Sequence, residues 1–123
     1  MKFLLIMNVN PAVLDALTEE ERNEIGEGHG AFIDAIKKSG EMITTQALAD
    51  PSQSAVVRVR AGQPVVTDGP FLEAKEYLGG FYLIDCESRE RALQLAALIP
   101  DAKIEGLAVE VRPVMFSDGT LEA

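Results

Sequence analysis

The sequence predicts an α+β domain in which two helices cover one face of an antiparallel sheet. Apolar runs of strand length alternate with two stretches in which apolar residues recur at helical spacing. The principal elements follow the order βαββαβ, so that both helices pack on the same sheet. No internal repeat, low-complexity stretch or interdomain linker divides the 123 residues, a length typical of one domain.

The first half of the chain carries a strand, a helix and a second strand. Residues 2–7 form a continuous apolar run that suits a strand buried on both faces. Thr18 and Glu21 have the spacing of a capping box, which predicts that a helix begins there. The helix ends at Gly40, and residues 41–48 form the second strand. One face of the helix carries an apolar stripe that includes a histidine: Ile25, His29, Phe32, Ile33 and Ile36.

Three glycines interrupt this helical pattern: Gly26, Gly28 and Gly30. Each interior glycine costs a helix about 1 kcal/mol relative to alanine, so this segment should loosen or bend. Two interpretations stay open. Either the glycines reflect drift at an exposed site, or the backbone closely approaches another chain or a ligand beside His29.

The second half begins with two middle strands, at residues 54–60 and 65–67. Residues 77–86 form a strong strand with two adjacent glycines, which usually mark a bulge or a close approach of another backbone. Ser88 caps a second helix, and Pro100 ends it.

A final strand at residues 107–113 has one solvated face and completes the pattern. Without the middle strands, the order βαββαβ is that of a ferredoxin-like sandwich. Two helices cover only one face of such a sheet, and apolar residues at 81–84 make a partner sheet on the other face the expected arrangement. We therefore expect a homodimer in which two sheets pack face to face.

Composition excludes several classes of protein. A net charge of −9, from 11 basic and 20 acidic residues, is the wrong sign for a nucleic-acid partner. The lone Cys86 cannot form an internal disulfide and is expected to be a buried small side chain rather than a nucleophile. The apolar start ends too early for a signal peptide, and no run approaches the roughly 20 residues of a membrane span. We expect a cytoplasmic protein that contacts neither nucleic acid nor membrane.

A long motif in the middle of the chain resembles the hallmark of the DGPF proteins, which belong to the YCII-related group of small bacterial proteins. The motif covers residues 66–84 and has Asp-Gly-Pro-Phe at residues 68–71. The resemblance extends to about Phe116, which implies a YCII-related domain at residues 1–116 and leaves a polar tail at residues 117–123. It also implies a ferredoxin-like fold assembled as a dimeric α/β barrel.

The resemblance implies less about function than about fold. The wider YCII-related group is thought to carry a His–Asp pair in a cleft and is suspected of enzymatic activity. Some DGPF proteins are encoded beside, or fused to, sigma factors of the extracytoplasmic-function type, which points to regulation. No organic cofactor is implied, and one histidine with one cysteine does not make a metal site.

The histidine of the YCII-related group lies in the first helix, eleven residues before the glycine that ends it, and His29 has this spacing to Gly40. The aspartate of the group directly precedes a proline at the end of the second helix. Here that place reads Ile99-Pro100, so the acid is missing. Asp68 of the central motif is therefore the candidate partner of His29.

Each candidate residue has a structural alternative. His29 acts as a general acid or base, because an imidazole titrates near neutral pH, or it packs as a hydrogen-bonded helix residue. Asp68 orients His29, or it opens a turn. Lys75 holds an anionic ligand, or it is a solvated loop residue. Tyr77 and Tyr82 donate hydrogen bonds into a cleft, or they belong to the core or an interface.

The leading hypothesis is a small-molecule-binding protein of YCII-related type, a cofactorless enzyme whose His-centred site moves a proton on a small organic acid or ketone. The alternative is a non-catalytic ligand-sensing or protein-interaction module linked to sigma-factor regulation. A purely structural dimer is the third hypothesis. An enzyme requires a titrating His29 in a pocket, whereas a protein-interaction module requires an exposed apolar patch outside the dimer interface.

Overall fold

The computed structural model describes residues 1–70 and 75–119, so Phe71 of the central motif and residues 120–123 of the predicted tail lie outside it. The strands are β1 Lys2–Val9, β2 Met42–Ala47, β3 Ala55–Arg60, β4 Gln63–Asp68, β5 Tyr77–Asp85 and β6 Ala108–Pro113. The α-helices are α1 Pro11–Asp15, α2 Glu19–Ser39 and α3 Arg89–Ala97, and short 3-10 turns occupy Pro51–Gln53 and Pro100–Lys103.

Four of these strands form one antiparallel sheet in the order β2-β5-β1-β6. The apolar strand β1 is central, as its continuous run of apolar residues predicts. Strands β5 and β1 lie in the middle of this sheet, and β2 and β6 form its two edges. The predicted α+β class is confirmed, and this strand order is consistent with a ferredoxin-like sandwich.

Helix α2 begins and ends as its sequence predicts. The Thr18 hydroxyl accepts from the backbone N–H of Glu21 at 3.1 Å, and the Glu21 carboxylate accepts from the backbone N–H of Thr18 at 2.9 Å. Gly40 ends the helix with a φ of 79°, a left-handed conformation that favours glycine. The helix runs without interruption through its three glycines, contrary to the expected loosening. Packing of its apolar stripe on the sheet outweighs the poor helix propensity of glycine.

Helix α1 is an element that the sequence patterns missed. Asn10 caps it by accepting from the backbone N–H of Ala12 at 3.0 Å, and Pro11 occupies its first turn. Asparagine followed by proline breaks a strand, but the same pair is also a favoured start of a helix. The break after β1 is therefore at once the beginning of a short helix.

The core lies between the sheet and the helices α2 and α3. Alternate residues of β1 and β5 point toward the helices, because successive side chains of a strand face opposite sides of its sheet. The buried cluster comprises Phe3, Leu5, Met7, Phe32, Ile36, Tyr82, Ile84, Cys86, Ala92, Leu95, Ala96 and Ile99. Cys86 is buried there, as predicted, and its thiol donates to the Ser88 carbonyl at 3.3 Å.

An ion pair ties α3 to the start of β2. Arg91 donates to the two carboxylate oxygens of Glu41 at 2.9 and 2.8 Å, a bidentate geometry that fixes orientation as well as distance. These hydrogen bonds from Arg91 lower the pKa of the Glu41 carboxyl. The helix that leads to the turn Pro100–Lys103 is thereby held against the sheet.

The two adjacent glycines of β5 combine both predicted roles. Gly79 is the extra residue of a bulge, since Met7 pairs with Gly80 and Asn8 pairs with Leu78. A Cβ on Gly80 would lie 2.7 Å from the carbonyl oxygen of Gln46 in β2. Gly80 therefore permits a close approach of two backbones on the helix side of the sheet.

The strands β3 and β4 form a separate two-stranded ribbon rather than extending the sheet. Their register places Val57 opposite Val66 and Val59 opposite Pro64, so one side of the ribbon is apolar. The three valines are 63–64% exposed. On the main sheet, the face away from the helices carries the half-buried residues Leu4, Phe81 and Leu83 together with the buried residue Ile6.

No helix in the described residues is long and apolar enough to span a membrane. Helix α2, the longest, has 21 residues but is too polar.

Candidate functional site

His29 lies between two polar side chains that come from distant parts of the chain. Its Nε2 is 2.7 Å from Oδ1 of Asp101, and its Nδ1 is 2.7 Å from the hydroxyl oxygen of Tyr82. The histidine side chain is 24% exposed and the aspartate side chain is 8% exposed. The pair is therefore largely shielded from water, which strengthens the interaction between its groups, while the imidazole stays accessible.

Asp101 reaches His29 because of the way in which α3 ends. The helix stops at Ala97, and Pro100 begins a 3-10 turn that contains Asp101 in its first turn. The turn directs the carboxylate back to the middle of α2, where His29 is located. No acid stands directly before the proline, as expected, but the carboxylate beside His29 comes from the residue directly after it.

Tyr82 is presented from the middle of β5, on the side of the sheet that faces α2. Its ring and that of Phe32 form a T-shaped pair with a centroid separation of 4.9 Å. Burial raises the pKa of the Tyr82 hydroxyl to about 12, with a further contribution from the negative charge of Asp101; the Thr45 hydroxyl acts in the opposite direction. At neutral pH the phenol is therefore a hydrogen-bond donor and not a phenolate.

The partners of His29 assign its tautomer. An ionised carboxylate can only accept a hydrogen bond, so Nε2 donates to Asp101. In the neutral ring Nδ1 is then the acceptor, and the Tyr82 hydroxyl donates to it. A proton added at Nδ1 gives an imidazolium, which the adjacent carboxylate stabilises. The arrangement is thus able to take up one proton and give it back.

A cavity of about 310 Å³ opens beside these three residues. It is bounded by the side of α2, by the ends of β1 and β2 and by the glycine pair of β5. A side chain on Gly80 would project toward this space, two residues from Tyr82 on the same side of β5. The lining residues are Met7, Val9, His29, Ile33, Thr45, Gln46, Ala47, Gly79, Gly80, Tyr82 and Asp101.

The model of the YCII-related domain family matches residues 1–116. The chain belongs to the YCII-related family. A relative from Rhizobium meliloti (strain 1021), described as an uncharacterised protein, is 32% identical over 122 residues, which cover 98% of each chain. The predicted family is thereby confirmed, while the narrower DGPF designation is consistent with these findings and stays a prediction.

Asp68 occupies a different place in this YCII-related protein from the one that the central motif led us to expect. It is the last residue of β4 and is exposed on the ribbon, where it pairs with Ala55. Both ring nitrogens of His29 are already engaged, by Tyr82 and Asp101. Asp101 thus takes the position beside His29 that was predicted for Asp68, and Asp68 ends the strand directly before Gly69, which has a φ of 95°.

The predicted ligand-binding residues fall into two groups. Tyr82 lines the cavity with His29, whereas Lys75 and Tyr77 line a neighbouring groove of about 640 Å³ with Asp50 and Pro70. Only the first of these three candidates lies at the His–Asp pair. Its signal in the sequence was its position in a strand with a hydroxyl able to donate into a cleft, a signal that Tyr77 shares.

Two further sets of residues carry no candidate catalytic site of their own. Arg112 pairs with Glu110 on β6, whereas Arg58 and Arg60 lie on the ribbon. Over residues 1–70 and 75–119, no three His, Cys, Asp or Glu side chains cluster as a metal site would require.

A wider groove of about 870 Å³ lies outside the His–Asp pair, between α1, α2 and the turn Pro100–Lys103.

Proposed function

We propose that this YCII-related protein is a cofactorless enzyme that moves a proton on a small organic molecule bound beside His29. The observation that carries the proposal is the position of the imidazole, within 2.7 Å of both a carboxylate and a phenol, at the wall of a cavity. A base held in one tautomer by a carboxylate is the usual arrangement for general acid–base catalysis.

The chemistry that suits these groups is enolisation of a carbonyl compound. In the proposed step, the substrate carbonyl accepts the hydrogen bond of the Tyr82 hydroxyl, which releases Nδ1 of His29. Nδ1 then takes a proton from the carbon next to the carbonyl; the C–H bond breaks, an N–H bond forms, and the electron pair moves onto the oxygen as an enolate. The Tyr82 hydroxyl stabilises that oxygen, and Asp101 stabilises the imidazolium. Return of the proton completes an isomerisation or an exchange.

A ketone fits this cavity better than an organic acid. Among the described residues that line it, none is lysine or arginine, and Asp101 contributes a negative charge. A carboxylate substrate would therefore meet like charge without a compensating cation. Lys75, the predicted holder of an anion, lines the neighbouring groove instead.

Hydrogen–deuterium exchange tests the proposal directly. Cyclopentanone and cyclohexanone are incubated with the protein in deuterated buffer, and loss of the α-proton signals is followed by NMR. We expect exchange above the buffer rate with the natural protein, a loss of at least about 10²-fold in His29→Gln, and no loss in Asp68→Asn, whose side chain is exposed on the ribbon. Equal exchange in all three proteins would overturn the enzymatic proposal and leave the ligand-sensing module as the better hypothesis.

A homodimer is supported by two apolar surfaces. One is the exposed apolar side of the ribbon, with Val57, Val59 and Val66, and the other is the face of the sheet away from the helices, whose apolar residues Leu4, Phe81 and Leu83 are half-buried. We propose that a second copy covers both, since monomeric proteins seldom expose such surfaces. The sigma-factor link stays an expectation from the resemblance.

Light scattering coupled to size exclusion tests the dimer. We expect twice the 13.3 kDa of one chain for the natural protein, and one chain for the double variant Val57→Glu/Val66→Glu. Gln63→Glu, on the opposite side of the ribbon, is the matched control and should stay dimeric. A natural protein that elutes as a single chain at 100 µM would contradict the proposal.

A further inference from the structure

The middle glycine of the three in α2 is in contact with the segment that carries Asp101. A Cβ built on Gly28 would lie 2.5 Å from Cγ of Pro100, whereas real Cβ contacts are essentially never shorter than 3.0 Å. The same atom on Gly26 or Gly30 would meet none of the described residues within 4 Å. Within the described part of the chain, Gly28 is therefore the one of the three glycines that makes room for a neighbour, and that neighbour is Pro100.

This contact is adjacent to the His–Asp pair in both segments. Gly28 directly precedes His29 in α2, and Pro100 directly precedes Asp101 in its 3-10 turn. We propose that Gly28 is a positioning residue. Because Gly28 has no side chain, the Pro100 ring packs directly against the helix backbone, and this packing contact sets the distance from the Asp101 carboxylate to the His29 imidazole. The catalytic consequence depends on the function proposed above, but the positioning itself does not.

The size of the effect follows from the distances. Ordinary contact requires at least about 3.4 Å, so a methyl group at Gly28 would push the Pro100 ring away by roughly 1 Å. Cβ and Cδ of the same ring would lie at 3.5 and 3.7 Å, which are ordinary contacts, so a change of ring pucker absorbs part of this displacement of Cγ. The remainder passes to the Pro100 backbone and to Asp101. A displacement of the Asp101 carboxylate away from α2 would lengthen the present 2.7 Å between Nε2 and Oδ1 and so weaken or break this hydrogen bond. The proton on Nε2 would then lose the partner that fixes the tautomer.

The two other glycines provide matched controls. Each lies on the same helix within two residues of Gly28, and no described residue occupies the space where a methyl group would go. Alanine at Gly26 or Gly30 should raise the folding equilibrium constant about fivefold through helix propensity alone and leave the His29 ring unchanged. An effect of Gly28→Ala therefore cannot be attributed to the helix backbone in general.

The test is ¹⁵N NMR of the His29 ring, which is unambiguous because the chain has a single histidine. In buffer alkaline enough that the ring is neutral, the natural protein and Gly30→Ala should show one protonated and one unprotonated ring nitrogen. Gly28→Ala should show averaged signals of two tautomers, with ketone exchange reduced at least tenfold. Pro100→Ala removes the atom at 2.5 Å and leaves the Cβ at 3.5 Å, so the double variant Gly28→Ala/Pro100→Ala should regain the signals of Pro100→Ala alone.

Each outcome decides the proposal. An unchanged ring spectrum in Gly28→Ala overturns it, and so does a double variant that folds but does not recover. If Gly28→Ala fails to fold, recovery of both folding and the ring spectrum in the double variant supports the proposed packing contact between Gly28 and Pro100. A double variant that recovers neither contradicts it. If the spectra change as expected while no protein exchanges ketone protons, the positioning role stands and the proposed catalysis falls.

Discussion

Replacement of Asp101 by asparagine should reduce catalysed ketone exchange by at least about 10²-fold while the protein stays folded. The amide cannot neutralise an imidazolium, so a proton taken up by Nδ1 of His29 would lose its stabilising charge. The amide also offers both a donor and an acceptor to Nε2, and the ring is no longer held in one tautomer. Activity and the ¹⁵N signals of the ring should therefore change together.

The control for Asp101→Asn is Asp68→Asn, which separates the two candidate pairs. Asp68 is exposed at the end of the ribbon, and its replacement should alter neither the ring signals nor the exchange rate. The opposite pattern, with an unchanged Asp101→Asn variant and an altered Asp68→Asn variant, would restore the pairing that the central motif first suggested and refute the one described above.

Tyr82 should make the fold sensitive to alkali. Its pKa is raised from 10 in the unfolded chain to about 12 in the fold, so the folded state holds the phenolic proton more tightly. The resulting contribution to the free energy of unfolding is complete below about pH 10 and disappears as the pH rises toward 12. A shift of this size corresponds to about 3 kcal/mol, of which about half is lost by about pH 11.

Two measurements on the natural protein and on Tyr82→Phe check this expectation. The difference in absorbance at about 295 nm between the two proteins isolates the ionisation of Tyr82, which should have its midpoint near pH 12. Urea unfolding between pH 9 and 11 should show a steeper loss of stability in the natural protein than in Tyr82→Phe, because only the former has this phenol to ionise. Parallel losses in both proteins would show that the phenol is not held as described.

The elements of the fold were predictable because their signals are local. The capping box at Thr18, the αL cap at Gly40 and the cap at Ser88 each depend on a few consecutive residues, and all three are present in the structure. The pairing of β3 with β4 in a separate ribbon was not predictable, since no sequence pattern in either strand specifies its pairing partner. Strand partners depend on packing across the whole sheet.

The site was only half predictable for the same reason. His29 was identified from its spacing to a glycine, and Tyr82 from its strand, but the acid was sought on the wrong side of Pro100. One position in sequence is decisive when the chain leaves a helix, because the 3-10 turn after Ile99 sets the direction of each side chain. The three helix glycines looked alike in sequence, and only a neighbour 72 positions away distinguishes Gly28.

The site forms late in folding because its three polar groups come from distant parts of the sequence. The contacts of His29 with Tyr82 and Asp101 span 53 and 72 positions, so the chain must close long loops before either forms. A nascent or partly folded chain that has only β1, α2 and β2 contains the base without its acid or its phenol. The rate of proton transfer at this site would therefore measure the fraction of molecules that has folded completely. A collapsed intermediate with every helix in place but a detached Pro100–Lys103 turn would show no proton transfer.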